Sequence, residues 1–186
     1  MKKILIFASG AGSNAENIIK HFNNSSVAKV VAVFTNNAKA GVIAKAENLG
    51  ITSHIFNKTE LIESNVLHKI NEIQPDLIIL AGFLLQFPKS IIAQYPNSII
   101  NIHPALLPKY GGKGMYGMHV HEAVVANREV ETGITIHYVN ENYDEGAQIF
   151  QKKVTVLGTD TPEVVVEKIH SLEQKYFPIV IEDLLK

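Results

Sequence analysis

Short apolar runs alternate with amphipathic segments along the first half of the chain, and this alternation most constrains the fold. The runs have strand length and are apolar on both faces, as in strands buried inside a parallel sheet. They cover residues 3–8, 30–35, 53–56, 77–80 and 98–102. The segments between them carry apolar side chains at helical spacing. A βαβα succession of this kind predicts an α/β fold with a mostly parallel sheet.

The second half has a different pattern. Residues 132–139 and 148–156 alternate between apolar and polar side chains, and a polar loop at 140–146 joins them. An antiparallel hairpin at the sheet edge is therefore expected. The chain has no repeat, linker or low-complexity segment. We predict a single domain over residues 1–186: a Rossmann-like, mostly parallel twisted sheet flanked by helices, with an antiparallel C-terminal edge hairpin.

Several helix ends can be predicted from capping residues. Ser13 and Glu16 fit a capping box at the start of the first helix. Gly50 is expected to cap the C-terminus of a helix over 40–49. Thr59 is expected to begin a third helix. The triplet Thr161-Pro162-Glu163 predicts the start of the final one, with a cap, a proline in the first turn and an acid.

Composition excludes several classes of protein. With 46% hydrophobic and 19% charged residues, the chain is too apolar to be disordered. It has no cysteine, which excludes a disulfide framework and a thiolate nucleophile. Its net charge of −1 gives no basic footprint for nucleic acid. No apolar run approaches the roughly 20 residues that span a bilayer. We therefore expect a cytoplasmic protein with neither nucleic acid nor membrane as a partner.

The loop from Ser9 to Asn14, of sequence SGAGSN, lies between the first strand and the first helix. Glycines let the backbone approach a ligand, and the following helix presents free N–H groups, so the loop favours a phosphate. A plain tight turn is the alternative. Gly10, Gly12 and Ala15 also fit the loose dinucleotide pattern G-x-G-x-x-G/A. That function requires an acid after the second strand, where the chain has Thr35, Asn36 and Asn37.

Asn101 and His103 stand at the end of the fifth strand, just before Pro104. Residues two apart on a strand share one face, and open α/β sheets bind ligands at this edge. An amide beside an imidazole suits oxyanion stabilisation and proton transfer. The pair could equally tie down the loop before Pro104. Asp144, in the hairpin loop, could orient or charge-pair a histidine.

The remaining histidines carry less weight. His119 and His121 would lie about 200° apart on a helix, which is unfavourable for one shared metal ion. We expect no metal site. The others are expected to be surface or structural residues: His21, His54, His68, His137 and His170. No G-x-S-x-G motif supports a serine hydrolase.

With these residues in place, the whole chain closely resembles the phosphoribosylglycinamide formyltransferase family. The resemblance rests on the SGAGSN loop, Ala81-Gly-Phe83, Asn101-Ile-His-Pro104 followed by Leu106-Leu-Pro-Lys-Tyr110, Gly133-Ile-Thr-Ile-His137 and Asp144-Glu-Gly146. The string Asn-x-His-Pro-x-Leu-Leu-Pro is typical of formyltransferases that use 10-formyltetrahydrofolate. Methionyl-tRNA formyltransferases share that string but carry a further C-terminal domain, so length and the SGAGSN loop favour the glycinamide ribonucleotide enzymes.

The resemblance implies roles for individual residues. The catalytic residues would be Asn101, His103 and Asp144, with the amine substrate bound by Gly12, Ser13, Asn14, Pro104 and Glu173. The folate would be bound by Lys58, Leu84, Leu85, Gln86, Phe87 and Asn101. Residues up to about 100 would form the phosphate-binding half, and residues 101–186 the catalytic and folate-binding half. The co-substrate would be 10-formyltetrahydrofolate, without a metal, and the protein would be a monomer or homodimer.

Two features depart from the family pattern. Leu84-Leu85 stand where many members have a methionine and a basic residue, and Lys58 or Thr59 occupies the neighbourhood of a frequent arginine. The stretch 111–118, rich in glycine, is longer than usual and suggests a mobile flap. The implied reaction is formyl transfer to glycinamide ribonucleotide in purine synthesis. The alternatives are a formyltransferase for another amine, a nucleotide-dependent oxidoreductase and a non-catalytic binding module.

Overall fold

A seven-stranded sheet forms the centre of the molecule. The computed structural model describes residues 1–186. The strands are β1 (Lys2–Phe7), β2 (Ala28–Thr35), β3 (Ser53–Ile55), β4 (Leu77–Leu80), β5 (Ile99–His103), β6 (Glu131–Tyr138) and β7 (Gln148–Thr155). The helices are α1 (Ser13–Phe22), α2 (Gly41–Asn48), α3 (Lys58–Ile62), α4 (Asn65–Ile73), α5 (Lys89–Gln94), α6 (Met118–Ala126) and α7 (Pro162–Leu185).

The strand order is β3-β2-β1-β4-β5-β6-β7. The first five strands in the chain pair in parallel, whereas β6 runs antiparallel to both β5 and β7. The expected fold is therefore confirmed, including the antiparallel hairpin at the C-terminal edge. No helix has the length and apolar character needed to cross a membrane.

Helices cover both faces of the sheet, which explains why its central strands are apolar throughout. Along β1, Ile4 and Ile6 pack in a core with α1, α2, α6 and α7, whereas Leu5 and Phe7 pack in a second core with α3, α4 and α5. All four side chains are completely buried. Burying a side chain of this size contributes roughly 1.5–3 kcal/mol, so β1 stabilises both layers.

The capping box expected at Ser13 and Glu16 is wrong. Ser13 is already helical, and the N-cap is Gly12, which has a left-handed backbone and makes no side-chain cap. Glu16 instead binds Lys20 at 2.6 Å and Lys45 at 2.8 Å. These contacts lower the pKa of the Glu16 carboxyl to about 2, led by the hydrogen bond with Lys20. The first turn of α1 is thus left without a side-chain cap.

The helix start expected at Thr59 is also wrong. Asn57 caps α3 by accepting from the Glu60 N–H at 3.0 Å, while the Glu60 carboxylate accepts from the Asn57 N–H at 2.7 Å. A capping box needs a carboxylate three residues after the cap, and Asn57 satisfies this spacing. The predicted caps at Thr161 and Gly50 are confirmed, since the Val164 N–H reaches Thr161 and the Gly50 N–H reaches Glu47.

Helix α7 contains Pro178 within its length. Proline has no N–H, so the carbonyl of Gln174 four residues earlier loses its helical donor. The Asn17 side chain of α1 supplies one instead, at 2.8 Å. This bond satisfies the free carbonyl and attaches α7 to α1, two helices that both reach the site described below.

The close approach of α1 and α2 requires a glycine at position 12. Its φ is +73°, and a Cβ there would lie 2.5 Å from the Cβ of Val42. We expect Gly12→Ala to lower the free energy of unfolding by ~2 kcal/mol or more, because backbone strain and overpacking add. Urea denaturation measures the loss. Gly10→Ala is the control, since nothing lies within 4 Å of a Cβ at Gly10; equal losses in both variants would contradict the argument.

Candidate active site

A single cleft of about 790 Å³ opens at the C-terminal ends of β1, β4 and β5. The chain leaves β1 toward β2 on one side, and later returns to place β4 on the other side. Ligands of open α/β sheets bind at such a point of reversal. The walls are the segments 10–14, 80–87, 101–104, 112–118 and 137–144, together with part of α7.

Four side chains meet at one end of the cleft. Asn101 and His103 lie on β5, and Asn101 stands opposite His137 of β6 in the antiparallel register. The Asn101 Nδ2 lies 3.1 Å from His137 Nε2 and 3.4 Å from Asp144 Oδ1. Asp144 Oδ2 is 3.5 Å from His103 Nδ1. The three residues that the sequence singles out for catalysis are thus brought together, and His137 joins them.

The hairpin loop fixes the position of Asp144. Its φ is +56°, and its carboxylate accepts from the Gly112 N–H at 2.9 Å. The loop closes tightly at Gly146, where a Cβ would come within 1.6 Å of the Tyr138 carbonyl oxygen. Glycine is therefore required at this position, and it lets the chain place the carboxylate over β5.

The cluster is buried, which sets the charges of its members. Burial lowers the pKa of His103, although Asp144 and the Tyr110 carbonyl oppose this effect. Burial alone would raise the pKa of Asp144, but contacts with His137, His103 and the Gly112 N–H outweigh it and hold that pKa below its usual range. Asp144 is therefore ionised near neutral pH, beside a histidine that is predominantly neutral.

Hydrogen bonding assigns the proton of neutral His103. Its Nε2 lies 2.7 Å from the Tyr110 carbonyl oxygen. A carbonyl can only accept, so Nε2 carries the hydrogen and Nδ1 is left with a free lone pair. That nitrogen faces Asp144. His103 can thus accept a proton at Nδ1 and hold it beside a carboxylate.

The opposite end of the cleft is formed by the start of α1. Gly12, Ser13 and Asn14 line it, and the first N–H groups of a helix have no partner within the helix. The Asn14 amide donates to the buried Glu173 carboxylate at 2.9 Å. Burial raises the pKa of Glu173, although this hydrogen bond opposes the shift. Free N–H groups and a positive helix end favour an anion here.

Pro104 and the segment Leu84 to Phe87 also line the cleft. Ser9 holds this segment in place, since its hydroxyl accepts from the Leu84 N–H at 3.0 Å. Lys58 is an exposed residue in the first turn of α3, and it is not among the residues that line the cleft. The structure therefore gives no support to Lys58 as a ligand contact.

His137 and His170, which were expected to be surface or structural residues, both line the cleft, and His170 is exposed there. His137 is 2% exposed and belongs to the Asn101 cluster. His170 Nε2 lies 2.8 Å from the Ser13 hydroxyl, at the anion-binding end. The sequence signal for His137 was its position in the edge hairpin, where one register places it opposite Asn101. No local pattern marks His170, because it reaches the site through the packing of α7 on α1.

The pair His119 and His121 behaves as its spacing predicts. His119 is exposed, whereas His121 is buried and lines the cleft. No group of three or more His, Cys, Asp or Glu side chains is arranged to hold a metal ion. Lys113 is the lysine that lines the cleft, whereas Lys109 binds Glu129 at 2.9 Å.

Comparison with known proteins agrees with this geometry. The family model described as formyl transferase matches residues 2–181. The chain belongs to the formyl transferase family. It is 37% identical to the chloroplastic phosphoribosylglycinamide formyltransferase of Arabidopsis thaliana, over 97% of this chain and 64% of that protein. The chain thus spans less than two thirds of the length of this plant relative.

Bacterial relatives of this formyl transferase match over more of their length. The phosphoribosylglycinamide formyltransferase of Escherichia coli K12 is 32% identical, over 96% of this chain and 84% of that protein. The crystal structure of phosphoribosylglycinamide formyltransferase from Streptococcus pneumoniae TIGR4 superposes with a TM-score of 0.89 at 33% identity, and the match covers 100% of both chains. The family resemblance inferred from the sequence is confirmed.

Proposed function

We propose that this formyl transferase moves the formyl group of 10-formyltetrahydrofolate to the amine of N1-(5-phospho-D-ribosyl)glycinamide. The products are the N-formyl compound and tetrahydrofolate, in de novo purine biosynthesis. One observation carries the proposal: the same cleft is lined by a helix start, which favours anions, and by a buried Asn–His–Asp cluster. The names of the relatives support the same substrates.

The amine substrate would span the cleft. Its phosphate would bind the N–H groups of Gly12, Ser13 and Asn14, because the helix start is positive. Glu173 would accept from the ribose hydroxyls, and Pro104 would contact the middle of the molecule. This arrangement delivers the amine to Asn101 and His103. The chain's net charge is −1, so attraction of an anionic substrate must be local.

The folate would enter along the other wall. Leu84, Leu85 and Phe87 offer an apolar surface for its ring, and Gln86 is positioned by a 3.1 Å bond to the Glu141 carbonyl. Asn101 would contact the folate at its formyl oxygen. The formyl group would then lie between the amine and the Asn101 amide.

Chemistry begins with the amine nitrogen attacking the formyl carbon. A C–N bond forms, and the carbonyl electron pair moves to oxygen. The Asn101 Nδ2 donates to that oxygen. His103 Nδ1 takes a proton from the ammonium that the attack creates, and the protonated His103 then also stabilises the oxyanion. Asp144 stabilises the resulting imidazolium. The intermediate collapses as the bond to the folate nitrogen breaks, and that nitrogen receives the proton. No covalent enzyme intermediate is needed.

A formyl-transfer assay tests the proposal. Glycinamide ribonucleotide and a 10-formylfolate are mixed with the protein, and release of the deformylated folate is followed by absorbance. Turnover that requires both compounds is the expected result. Parallel reactions contain formate with ATP, or methionyl-tRNA as the acceptor. Activity only in one of these parallel reactions would overturn the proposed substrates.

Ser13→Asp tests the phosphate end of the cleft. The carboxylate would face the substrate phosphate, so we expect binding of glycinamide ribonucleotide to weaken at least about tenfold. The fold should persist, since an acid is favourable in the first turn of a helix. Calorimetry measures the affinity. Ser26→Asp adds the same charge at an exposed position outside the cleft and should bind normally; unchanged affinity in Ser13→Asp would remove the assignment.

Several further assignments belong to the same proposal. The protein would act in the cytoplasm as a monomer or homodimer on two small molecules, without nucleic acid or membrane. Residues up to about 100 would serve mainly phosphate binding, and residues 101–186 catalysis and folate binding. The division is not strict. The folate contacts Leu84 to Phe87 lie in the first half, and the substrate contact Glu173 lies in the second. Sedimentation of the pure protein measures the assembly state.

A further inference from the structure

His121 is a buried polar residue with no partner in the protein. It lies in α6 and is 5% exposed. Its Nδ1 is sealed from solvent and makes no hydrogen bond. Leaving a buried polar atom unpaired costs stability, and an apolar side chain of the same shape would avoid that cost. The mechanism above does not use this histidine, so its presence needs another explanation.

The two ring nitrogens of His121 differ. Nδ1 is closed off, whereas Nε2 is not among the sealed atoms. His121 lines the cleft, so its exposed part faces the ligand space. Burial, with the nearby charges of His103 and His170, lowers the pKa of His121, which keeps the ring neutral. The single hydrogen then belongs on Nε2, because an N–H at Nδ1 would be buried without an acceptor.

His121 lines the cleft near a residue from each of its two ends. His103 and His170 are the two groups whose charge influences it. His103 belongs to the catalytic cluster, and His170 contacts Ser13 at the anion-binding end. A neutral N–H donor at this position matches an uncharged oxygen in the middle of a ligand that spans both ends. The phosphate is assigned to the N–H groups of Gly12, Ser13 and Asn14, so it is not the acceptor for His121.

We propose that His121 is a substrate-binding residue that donates from Nε2 to an uncharged oxygen of the phosphorylated amine, between its phosphate and its amine. This inference rests on the proposed function, because it takes the phosphorylated amine as the ligand. The acceptor class is a ribose or amide oxygen. The protein would then retain an unpaired Nδ1 because Nε2 of the same ring serves the substrate.

Steady-state kinetics with three variants test the inference. In His121→Phe we expect the KM for glycinamide ribonucleotide to rise about 3- to 10-fold, as for loss of one neutral hydrogen bond. The KM for the formylfolate should stay within about twofold, and the melting temperature should not fall. His121→Gln can place an amide donor near Nε2, so its KM should stay within about threefold of the parent chain. His119→Phe is the matched control, since His119 is exposed two residues earlier.

Two results would overturn the inference. One is an unchanged KM for glycinamide ribonucleotide in His121→Phe. The other is an equal rise of both KM values together with a lower melting temperature, which indicates a packing role. If His121→Phe does not fold, His121→Leu replaces it.

Calorimetric binding of glycinamide ribonucleotide separates this inference from the proposed function, because binding needs no turnover. If the parent chain binds glycinamide ribonucleotide without transferring formyl, the proposed reaction is contradicted. The His121 inference is then still tested by comparing the affinities of its variants for this ligand. A parent chain that transfers formyl, with equal affinity in His121→Phe, contradicts this inference alone. A parent chain that does not bind the ligand contradicts both.

Discussion

Replacing Asp144 by asparagine is expected to lower turnover about 10²- to 10⁴-fold, the range for loss of a group that assists proton transfer. The carboxylate lies 3.5 Å from His103 Nδ1 and 3.6 Å from His137 Nε2. Burial disfavours a charged His103. After His103 takes a proton from the amine, the charged ring therefore needs a neighbouring negative charge to stabilise it. Asparagine has the same shape but supplies no such charge. The measurement is kcat in the formyl-transfer assay.

The same substitution should leave the chain folded. Asp144 has φ +56°, a backbone conformation that asparagine adopts readily. An asparagine oxygen can still accept from the Gly112 N–H. We therefore expect the free energy of unfolding to change by no more than ~2 kcal/mol. Glu145→Gln removes one charge from the next residue, which does not line the cleft, and should retain activity. Turnover close to that of the parent chain in Asp144→Asn would remove the proton-transfer role.

The fold could be predicted because its signals are local. Strands buried on both faces give continuous apolar runs, and β1 and β4 each show one. The hairpin of β6 and β7 shows alternation because Ile134 and Ile136 of β6 pack toward helices, whereas Thr135 on the other face hydrogen-bonds with the loop at 105–107. Strand order was not predicted, since neighbouring strands such as β1 and β4 are separated by about seventy residues, and nothing local specifies that pairing.

Helix starts were predicted only where the capping pattern was unambiguous. Thr161 precedes a proline and an acid, and that combination has one interpretation. Near residue 59 several residues could cap a helix. Asn57 is the N-cap because Glu60 completes the capping box with it. At Ser13 the steric demand of Val42 on Gly12 decides the local backbone. That demand comes from tertiary packing, which the local sequence does not show.

The residues of the site also fall into two groups: those predictable from local sequence and those brought in by tertiary contacts. Asn101 and His103 share a strand face, so their proximity follows from two-residue spacing. His137 and His170 come from separate elements, and only the register of β5 with β6 and the packing of α7 on α1 bring them in. Lys58 was expected from the family pattern alone, and it is not among the residues that line the cleft. Sequence therefore identifies residues within one element better than residues that assemble across elements.

Asn101→Ala is expected to lower kcat about 100- to 1000-fold, with a small effect on either KM, because one oxyanion donor is lost. The geometry supplies the reason. One Nδ2 hydrogen is directed to His137 at 3.1 Å, and the contact with Asp144, at 3.4 Å, is long. A developing oxyanion can therefore compete for the second hydrogen. The ground-state carbonyl is a weaker acceptor, so the loss should appear in kcat.

Asn71→Ala provides the comparison for this variant. The Asn71 side chain also makes two hydrogen bonds, donating to Gln94 at 3.1 Å and accepting from Tyr95 at 2.9 Å, but it is exposed and outside the cleft. Its loss should leave kcat unchanged. A matching fall in both variants would point to general destabilisation, and a rise in KM without a fall in kcat would assign Asn101 to binding alone. A fall in kcat confined to Asn101→Ala is the result that an oxyanion donor requires, because its stabilising bond forms only as charge develops on the formyl oxygen.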